Sequence, residues 1–365
     1  MQYIAYEYDI QGCGKSKNIF KTVIAVAIGH AALFYTMGRT DSRRNIRRNG
    51  RVNRLQQQPT AAAAVAGTKP QRSKQQWKET LTGYVFIAPM LIGVTVLMIM
   101  PILASFVLSF TEWNFLLGFK KVEFVGFANF EKLFADDIFW KSLKNNLIFI
   151  LVVPISLAVS LLLAVIINRY VYFKDMFKVI YFMPYISSVV AVAIVWQVLF
   201  HPSFGPVNEF LRSIGIADPP KWIADLQFAL PSVMMIMVWI SIGYNLIIYT
   251  AGLQSIPKDF YEAADIDGAK AWHKFRFITL PMLSPTTFFL MITGIIGTFK
   301  VFDLIQVLTK GGPAGSTSVV VYHLYETAFV NLKMSYASTM ALFLFLAIFA
   351  VTLVQWWGQR KWVNY

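Results

Sequence analysis

Six long stretches of the chain carry almost no charge, and they constrain the fold more than any other feature of the sequence. They predict membrane spans near residues 82–110, 145–168, 179–200, 228–252, 279–300 and 335–357. A helix needs about 20 residues to cross the hydrocarbon core of a bilayer, and each stretch is long enough. Apolar residues occupy all helical faces instead of alternating with a period of two, which favours helices over barrel strands. The predicted fold class is an all-α polytopic membrane protein.

The composition supports a chain that is solvated mainly by lipid. Of 365 residues, 56% are apolar and 14% are charged, whereas a soluble protein usually carries about 25% charged residues. This composition excludes a water-soluble enzyme. The net charge of +14 is concentrated in residues 1–78, and the remainder is almost neutral. A basic tail beside an apolar body argues against nucleic acid as a partner.

The distribution of lysine and arginine predicts the orientation of the spans, because basic loops stay in the cytoplasm. Starting the first span inside places 20 basic residues in cytoplasmic segments and 10 in outer loops. The cytoplasmic segments are residues 39–78, 169–178, 258–276 and 360–365. We therefore expect both ends of a transmembrane domain formed by residues 79–365 to face the cytoplasm.

The first 78 residues form a basic extension with several interpretations. Residues 22–38 are a charge-free run of 17, compatible with an extra N-terminal helix, a signal-like segment or an interfacial helix. An Arg-rich stretch follows this run instead of small residues, so we prefer an extra span or an artefactual upstream extension over a signal peptide. The Gln- and Ala-rich residues 55–78 predict a flexible tether.

One predicted cytoplasmic loop, residues 255–281, has the pattern of a protruding helical elbow. Ser255 is expected to cap a helix that has Pro257 in its first turn. Gly268 can end this helix and permit a sharp bend before a second short helix. Small residues leave the surface shallow, and aromatic residues are expected to anchor a partner protein in a groove. These aromatic residues are Phe260, Tyr261 and Trp272.

The same loop resembles the signature loop of bacterial ABC importer permeases. The shared pattern is Glu-Ala-Ala, three residues, Gly, nine residues, Ile, one residue and Leu-Pro. It matches at Glu262, Ala263, Ala264, Gly268, Ile278, Leu280 and Pro281. The resemblance extends from residue 81 to the carboxyl terminus and is specifically similar to the binding-protein-dependent carbohydrate (maltose-type) transporter family. Its supporting segments are residues 124–134, 181–200, 302–317 and 325–338.

The resemblance implies a fold, a function and a set of partners. The fold is the six-helix core of a type I ABC importer permease in the bacterial cytoplasmic (inner) membrane. The function is that of a transmembrane permease subunit of an ATP-driven importer of a sugar or oligosaccharide. Its implied partners are a second permease subunit, two ATPase subunits that carry ATP and Mg²⁺, and an extracytoplasmic solute-binding protein. Glu262 would be the polar contact with the ATPase, and Gly268 the bend.

Polar side chains inside the spans indicate a substrate path, because such groups usually face a wet cavity. Lys300 and Asp303 lie three residues apart, on one face if the fifth helix continues through them, with Thr298 nearby. A structural ion pair near the outer interface is the alternative. Lys300 favours an acidic saccharide. Tyr244 and Asn245 in the fourth span are further candidates, with helix packing as their alternative role. In the resembled permeases, sugar-facing asparagines occupy the positions of Thr298 and Lys300, which leaves the sugar open.

The sequence predicts no catalytic residue, no metal site and no cofactor bound by this chain. Its four histidines are scattered, and Cys13 is the one cysteine, so the spacing of a zinc site is absent. Residues 12–16 end like a phosphate-binding loop, but Asp9 occupies the position of the required first glycine. ATP hydrolysis would therefore need separate subunits. A channel or ion-coupled secondary transporter is the alternative, and a membrane-embedded enzyme would need clustered acidic or histidine side chains.

Overall fold

Helices account for nearly all regular structure in the computed structural model, which describes residues 74–113 and 122–362. The run 22–38 lies outside these ranges, as does nearly all of the extension 1–78 and of the tether 55–78. The helices are α1 (Lys74–Val94), α2 (Met100–Leu108), α3 (Ala128–Phe134), α4 (Asp137–Phe149), α5 (Val152–Tyr170), α6 (Lys174–Ile186), α7 (Val189–Leu199), α8 (Pro206–Ser213), α9 (Ala229–Ser255), α10 (Lys258–Ile266), α11 (Ala271–Lys274), α12 (Leu280–Met282), α13 (Ser284–Phe299), α14 (Asp303–Leu308), α15 (Val320–Tyr325) and α16 (Met334–Trp362).

Shorter elements join these helices. Three π-helical turns cover Thr95–Ile99, Phe275–Thr279 and Glu326–Val330, and a 3₁₀ turn covers Trp222–Ala224. Strands β1 (Thr111–Glu112) and β2 (Glu123–Phe124) pair antiparallel, with Thr111 opposite Phe124. The π-turns Thr95–Ile99 and Phe275–Thr279 continue directly into α2 and α12, so they widen a helix locally without ending it.

Four helical segments of the described chain are long and apolar enough to cross a membrane, and the number rises to six if each of two bent helix pairs is counted as one span. The four are Leu81–Leu108, Asp137–Arg169, Ala229–Ser255 and Met334–Gln359. The bent pairs are α6 with α7, at 94°, and Ala271–Met282 with α13, at 62°. The predicted all-α polytopic fold class is thus present in the described chain. The second segment begins at Asp137, eight residues before the predicted start at 145.

The third predicted span, residues 179–200, is a broken helix. Pro184 lies inside α6, where it removes a backbone hydrogen bond. Ser187 and Ser188 then adopt extended backbone conformations, with ψ angles of 153° and 125°. The helix therefore ends at Ile186, and α7 starts in a new direction. Charge-free length predicts the crossing, but it carries no information about this bend.

Three apolar clusters hold the spans together. Leu157, Leu246 and Leu290 join α5, α9 and α13 in one of them. A second cluster joins α7, α9 and α14, and a third joins α3, α4, α15 and α16. Helices α6 and α9 cross closely, since a Cβ on Gly243 would lie 2.2 Å from the Tyr181 carbonyl oxygen. The first span contributes no buried residue and lies at the periphery.

Candidate functional site

The elbow (residues 255–281) begins where α9 ends. Ser255 is the last residue of α9, and its hydroxyl donates to the Gly252 carbonyl at 2.7 Å. Pro257, with extended backbone, occupies the N-cap position of α10. The expected capping role of Ser255 is therefore wrong, because its hydroxyl is already bonded within the preceding helix. The turn between the two helices consists of Ile256, which is buried, and Pro257.

Gly268 ends α10 in the manner expected from its position. Its φ angle is +72°, in the left-handed region where glycine lacks the steric penalty of other residues. Its N–H donates to the Asp265 carbonyl at 3.1 Å, and the Ala269 N–H donates to the Ala264 carbonyl at 2.9 Å. These two bonds form a Schellman motif, which satisfies the last carbonyls of a helix and turns the chain away from its axis.

The matched motif residues fall into two groups in the structure. Glu262 and Ala263 are exposed on α10, and Ala264 is half-buried. Ile278, Leu280 and Pro281 are half-buried at the other end of the elbow. Ile278 and Leu280 pack against the cluster that joins α5, α9 and α13. One group therefore faces solvent, and the other attaches the elbow to the membrane domain.

An exposed apolar surface covers the tip of the elbow. Phe260 and Trp272, both expected as anchors, are 50% and 68% exposed. Tyr261 is not available as an anchor, because its hydroxyl lies 2.9 Å from Thr279 Oγ1 and its ring packs against the core. Ile266, at 87% exposure, is an apolar tip residue that the sequence reasoning missed. Its position four residues after Glu262, on the same helical face, is the signal that could have found it.

A cavity of about 280 Å³ lies between α5, α9 and α13. Three of the five predicted substrate-path residues line it: Tyr244, Asn245 and Thr298. The sequence reasoning missed its other polar lining residues, Ser156, Ser241 and Thr293, because a lone hydroxyl in an apolar span has no recognisable pattern. Tyr185 also lines the cavity, and its ring stacks on Tyr244 with centroids 5.0 Å apart.

Most hydroxyl hydrogens of this cavity are used within their own helices. Ser241, Thr293 and Thr298 each donate to a carbonyl three or four residues earlier. A hydroxyl that donates in this way keeps its acceptor lone pairs. The Asn245 side-chain N–H donates to Ser156 Oγ at 3.3 Å. The cavity therefore offers hydrogen-bond acceptors on an otherwise apolar wall.

Lys300 and Asp303 do not line this cavity. Helix α13 ends at Phe299, Lys300 is its C-cap, and α14 starts only at Asp303. Phe302, with φ −138° and ψ −60°, is not helical, so the fifth helix does not continue through these residues and the condition for a shared helical face is not met. Both charged side chains are exposed. In residues 74–113 and 122–362 they form neither the ion pair considered as an alternative nor any other side-chain bond.

These features define a class of protein: a polytopic membrane subunit with a bent, solvent-exposed elbow and a cavity between its spans. Residues 156–362 match the family described as the inner membrane component of binding-protein-dependent transport systems. The chain belongs to this family. Membership confirms the resemblance noted in the sequence and the location in the inner membrane.

The alignments with individual relatives cover most of each relative and most of this chain. A probable ABC transporter permease of Pyrococcus horikoshii is 35% identical over 73% of this chain and 92% of the relative. The lactose transport system permease LacF of Rhizobium radiobacter is 36% identical over 77% and 95%. The sn-glycerol-3-phosphate transport system permease UgpA of Agrobacterium fabrum is 36% identical over 66% and 83%.

A solved structure has the same fold. It is the crystal structure of a bacterial alginate ABC transporter in complex with an alginate pentasaccharide-bound periplasmic protein. The similarity covers 80% of this chain and 98% of the matched chain, with 24% identity and a TM-score of 0.70. The six-helix core of a type I ABC importer permease, expected from the resemblance, is therefore confirmed.

Proposed function

We propose that this chain is one transmembrane permease subunit of an ATP-driven importer of a sugar or oligosaccharide. The observation that carries the proposal is the elbow, where Glu262 and Ile266 are exposed on a helix that ends in a sharp turn at Gly268. A charged and an apolar group on a protruding helix suit docking in a groove of another protein. Relatives named for lactose and sn-glycerol-3-phosphate transport support a substrate of the sugar or polyol class.

In this proposal, the motor is a pair of separate ATPase subunits that hold ATP and Mg²⁺. The elbow docks on one of them through Glu262 and the exposed apolar residues beside it. A second permease subunit completes the path, and an extracytoplasmic solute-binding protein delivers the substrate. Binding of ATP favours the outward-open state through its differential contacts, which is a shift between pre-existing conformations. The present chain contributes half of the path and one elbow.

The cavity between α5, α9 and α13 is our proposed part of the substrate path. Its acceptor oxygens complement the hydroxyl donors of a sugar, and Tyr244 adds an aromatic surface. Lys300 lies outside this cavity, so any preference for an acidic sugar would act by charge at the end of α13. Uptake of neutral and acidic oligosaccharides by wild type and Lys300→Gln tests this preference. Equal loss for both classes would exclude charge recognition, and selective loss of the acidic class would support it.

Co-purification tests the importer proposal. The tagged chain, expressed with its candidate ATPase, is expected to retain that ATPase in detergent. Glu262→Lys and Gly268→Pro are expected to release it, because they reverse a docking charge and block a left-handed turn. Glu123→Lys, a matched charge reversal at an exposed residue of β2, is expected to retain it. Normal retention and uptake in both elbow variants would contradict the proposal and favour an ion-coupled transporter or channel.

A further inference from the structure

Two polar links tie α10 to the segment that follows Gly268. The Asp265 carboxylate forms an ion pair with the Lys274 ammonium group. The Tyr261 hydroxyl lies 2.9 Å from Thr279 Oγ1. Tyr261 and Asp265 are four residues apart and so share one face of α10. This face is distinct from the one that carries Glu262. The elbow therefore has a face for a partner and a separate face bonded to its own chain.

The π-turn Phe275–Thr279 brings the two anchoring positions together. Its closing bond runs from the Leu280 N–H to the Phe275 carbonyl, five residues back. Such a wide turn places residues five apart on one side of the helix. Thr279 Oγ1 donates to the Lys274 carbonyl at 3.3 Å, so it accepts the hydrogen bond from the Tyr261 hydroxyl. These side chains form a closed set, here termed the clamp: Tyr261, Asp265, Lys274 and Thr279.

Burial of Lys274 makes its ion pair with Asp265 important. Lys274 is 7% exposed and Thr279 is 5% exposed, whereas the Asp265 side chain is 60% exposed. A buried ammonium group without a counter-ion is strongly unfavourable. The clamp lines a cavity of about 270 Å³ that also contacts Arg169, and Asp265 is the one carboxylate among the described residues lining it. Lys274 therefore depends on Asp265 for its charge partner.

The clamp spans the joint at Gly268. A Cβ built at Gly268 would meet nothing within 4 Å, so the bend itself stands in open space. Beyond the joint, the chain continues through the π-turn and α12 into α13, which lines the proposed substrate path. A force on α10 can either bend the chain at this glycine or be passed to α13. Bonds that bridge the joint favour the second outcome.

We infer that Asp265 and Lys274 are positioning residues that lock α10 to the base of the fifth span, so that a displacement of the elbow moves α13. This inference rests on the proposed function, since it concerns how the same elbow transmits the work of an ATPase. Neither residue contacts substrate or nucleotide in this account. Their role is to keep ATP hydrolysis and substrate movement linked.

The test uses the complete transporter in proteoliposomes, with its ATPase subunits and loaded binding protein. Asp265→Asn and Lys274→Met are expected to raise the ATP hydrolysed per substrate imported about tenfold, while the ATPase subunits stay bound. The control removes another ion pair near the same membrane face, Lys178–Asp175, which is 2.9 Å long and lies within α6. Asp175→Asn and Lys178→Met are expected to leave the ratio unchanged, because this pair joins no two elements.

Charge exchange separates a specific link from general damage. The double variant Asp265→Lys, Lys274→Asp re-forms an ion pair with reversed polarity and is expected to bring the ratio within about twofold of wild type. Wild-type ratios in both single variants would overturn the inference about the clamp and leave the proposed function standing. Failure of the wild-type chain to retain any ATPase would overturn the proposed function and the clamp with it. If the charge variants do not assemble, Tyr261→Phe, which removes the hydrogen bond to Thr279, replaces them. A rise of about threefold, within a factor of two, in the ATP hydrolysed per substrate imported supports the clamp. An unchanged ratio overturns it.

Discussion

Asp136 joins three separate segments at the end of the molecule opposite the elbow. Its Oδ1 accepts hydrogen bonds from the Ile138 and Phe139 N–H groups at the start of α4. Its Oδ2 accepts from the Tyr336 hydroxyl at 2.6 Å and lies 3.1 Å from His323 Nε2. Burial raises the pKa of the Asp136 carboxyl, but the hydrogen bonds from Tyr336, His323 and Phe139 outweigh it and hold the pKa below its usual 3.8.

This lowered pKa predicts an acid-sensitive contribution to stability. The carboxylate stabilises the fold above the pKa of the unfolded chain, and this stabilisation is lost as the pH falls through the folded-state pKa, below 3.8. Asp136→Asn is therefore expected to lower the melting temperature of the purified subunit at pH 7, with a smaller difference near pH 3. Asp225→Asn is the control, because Asp225 also accepts two backbone N–H groups. A constant difference between wild type and Asp136→Asn at all pH values would contradict the assignment.

Gly268 offers a second test at a single position. An L side chain in the left-handed conformation costs about 1–2 kcal/mol, so Gly268→Ala is expected to weaken ATPase retention by about fivefold to thirtyfold. Gly215, with φ +98° and nothing within 4 Å of a built Cβ, provides a matched control at the opposite end. Gly215→Ala carries comparable strain and is expected to retain the ATPase fully. Equal retention in the two variants, measured by titrating the ATPase, would argue against a role for the Gly268 bend.

The backbones of α6 and α9 approach each other closely where the two helices cross at Gly243. A Cβ at Gly243 would lie 2.2 Å from the Tyr181 carbonyl oxygen and 2.8 Å from Phe182 Cα, both backbone atoms that cannot rotate away. Gly243→Ala is therefore expected to destabilise the subunit by about 1–3 kcal/mol, seen as a lower melting temperature in detergent. Gly93→Ala in the first span, where a Cβ meets nothing, is expected to have little effect. Identical melting curves would show that the helices separate at this crossing without cost.

The secondary elements differ in how far the sequence determines them. The spans follow from long apolar runs, and the end of α10 follows from a glycine at a fixed distance from the helix start. By contrast, the length of the apolar runs does not locate the break at Ser187 or the end of α13 at Phe299. Burial of Lys274 was equally unpredictable, because its partner Asp265 and the π-turn that positions it become neighbours only in the folded elbow. Local patterns therefore predicted the outer face of the elbow but not its clamp.

Across the whole molecule, the two ends have different tasks. The segment Asp137–Arg169 runs from the Asp136 junction to the cavity beside the elbow, a distance of about 50 Å if helical throughout. This length exceeds the hydrocarbon thickness of about 30 Å, so we expect both ends to reach the aqueous phases. We therefore expect the elbow and the Asp136 junction to lie on opposite sides of the membrane, with the cavity between α5, α9 and α13 in between.

Labelling of a single thiol tests the central claim that the elbow lies in the cytoplasm and docks on an ATPase subunit. Ile266 is 87% exposed, and the natural Cys13 is the one cysteine, so Ile266→Cys in a Cys13→Ser background gives a unique probe. A membrane-impermeant maleimide is expected to label inside-out vesicles and to leave intact cells unlabelled. Adding the ATPase subunits to the vesicles is expected to block the reaction. Labelling of intact cells from outside, with inside-out vesicles unreactive, would contradict the account.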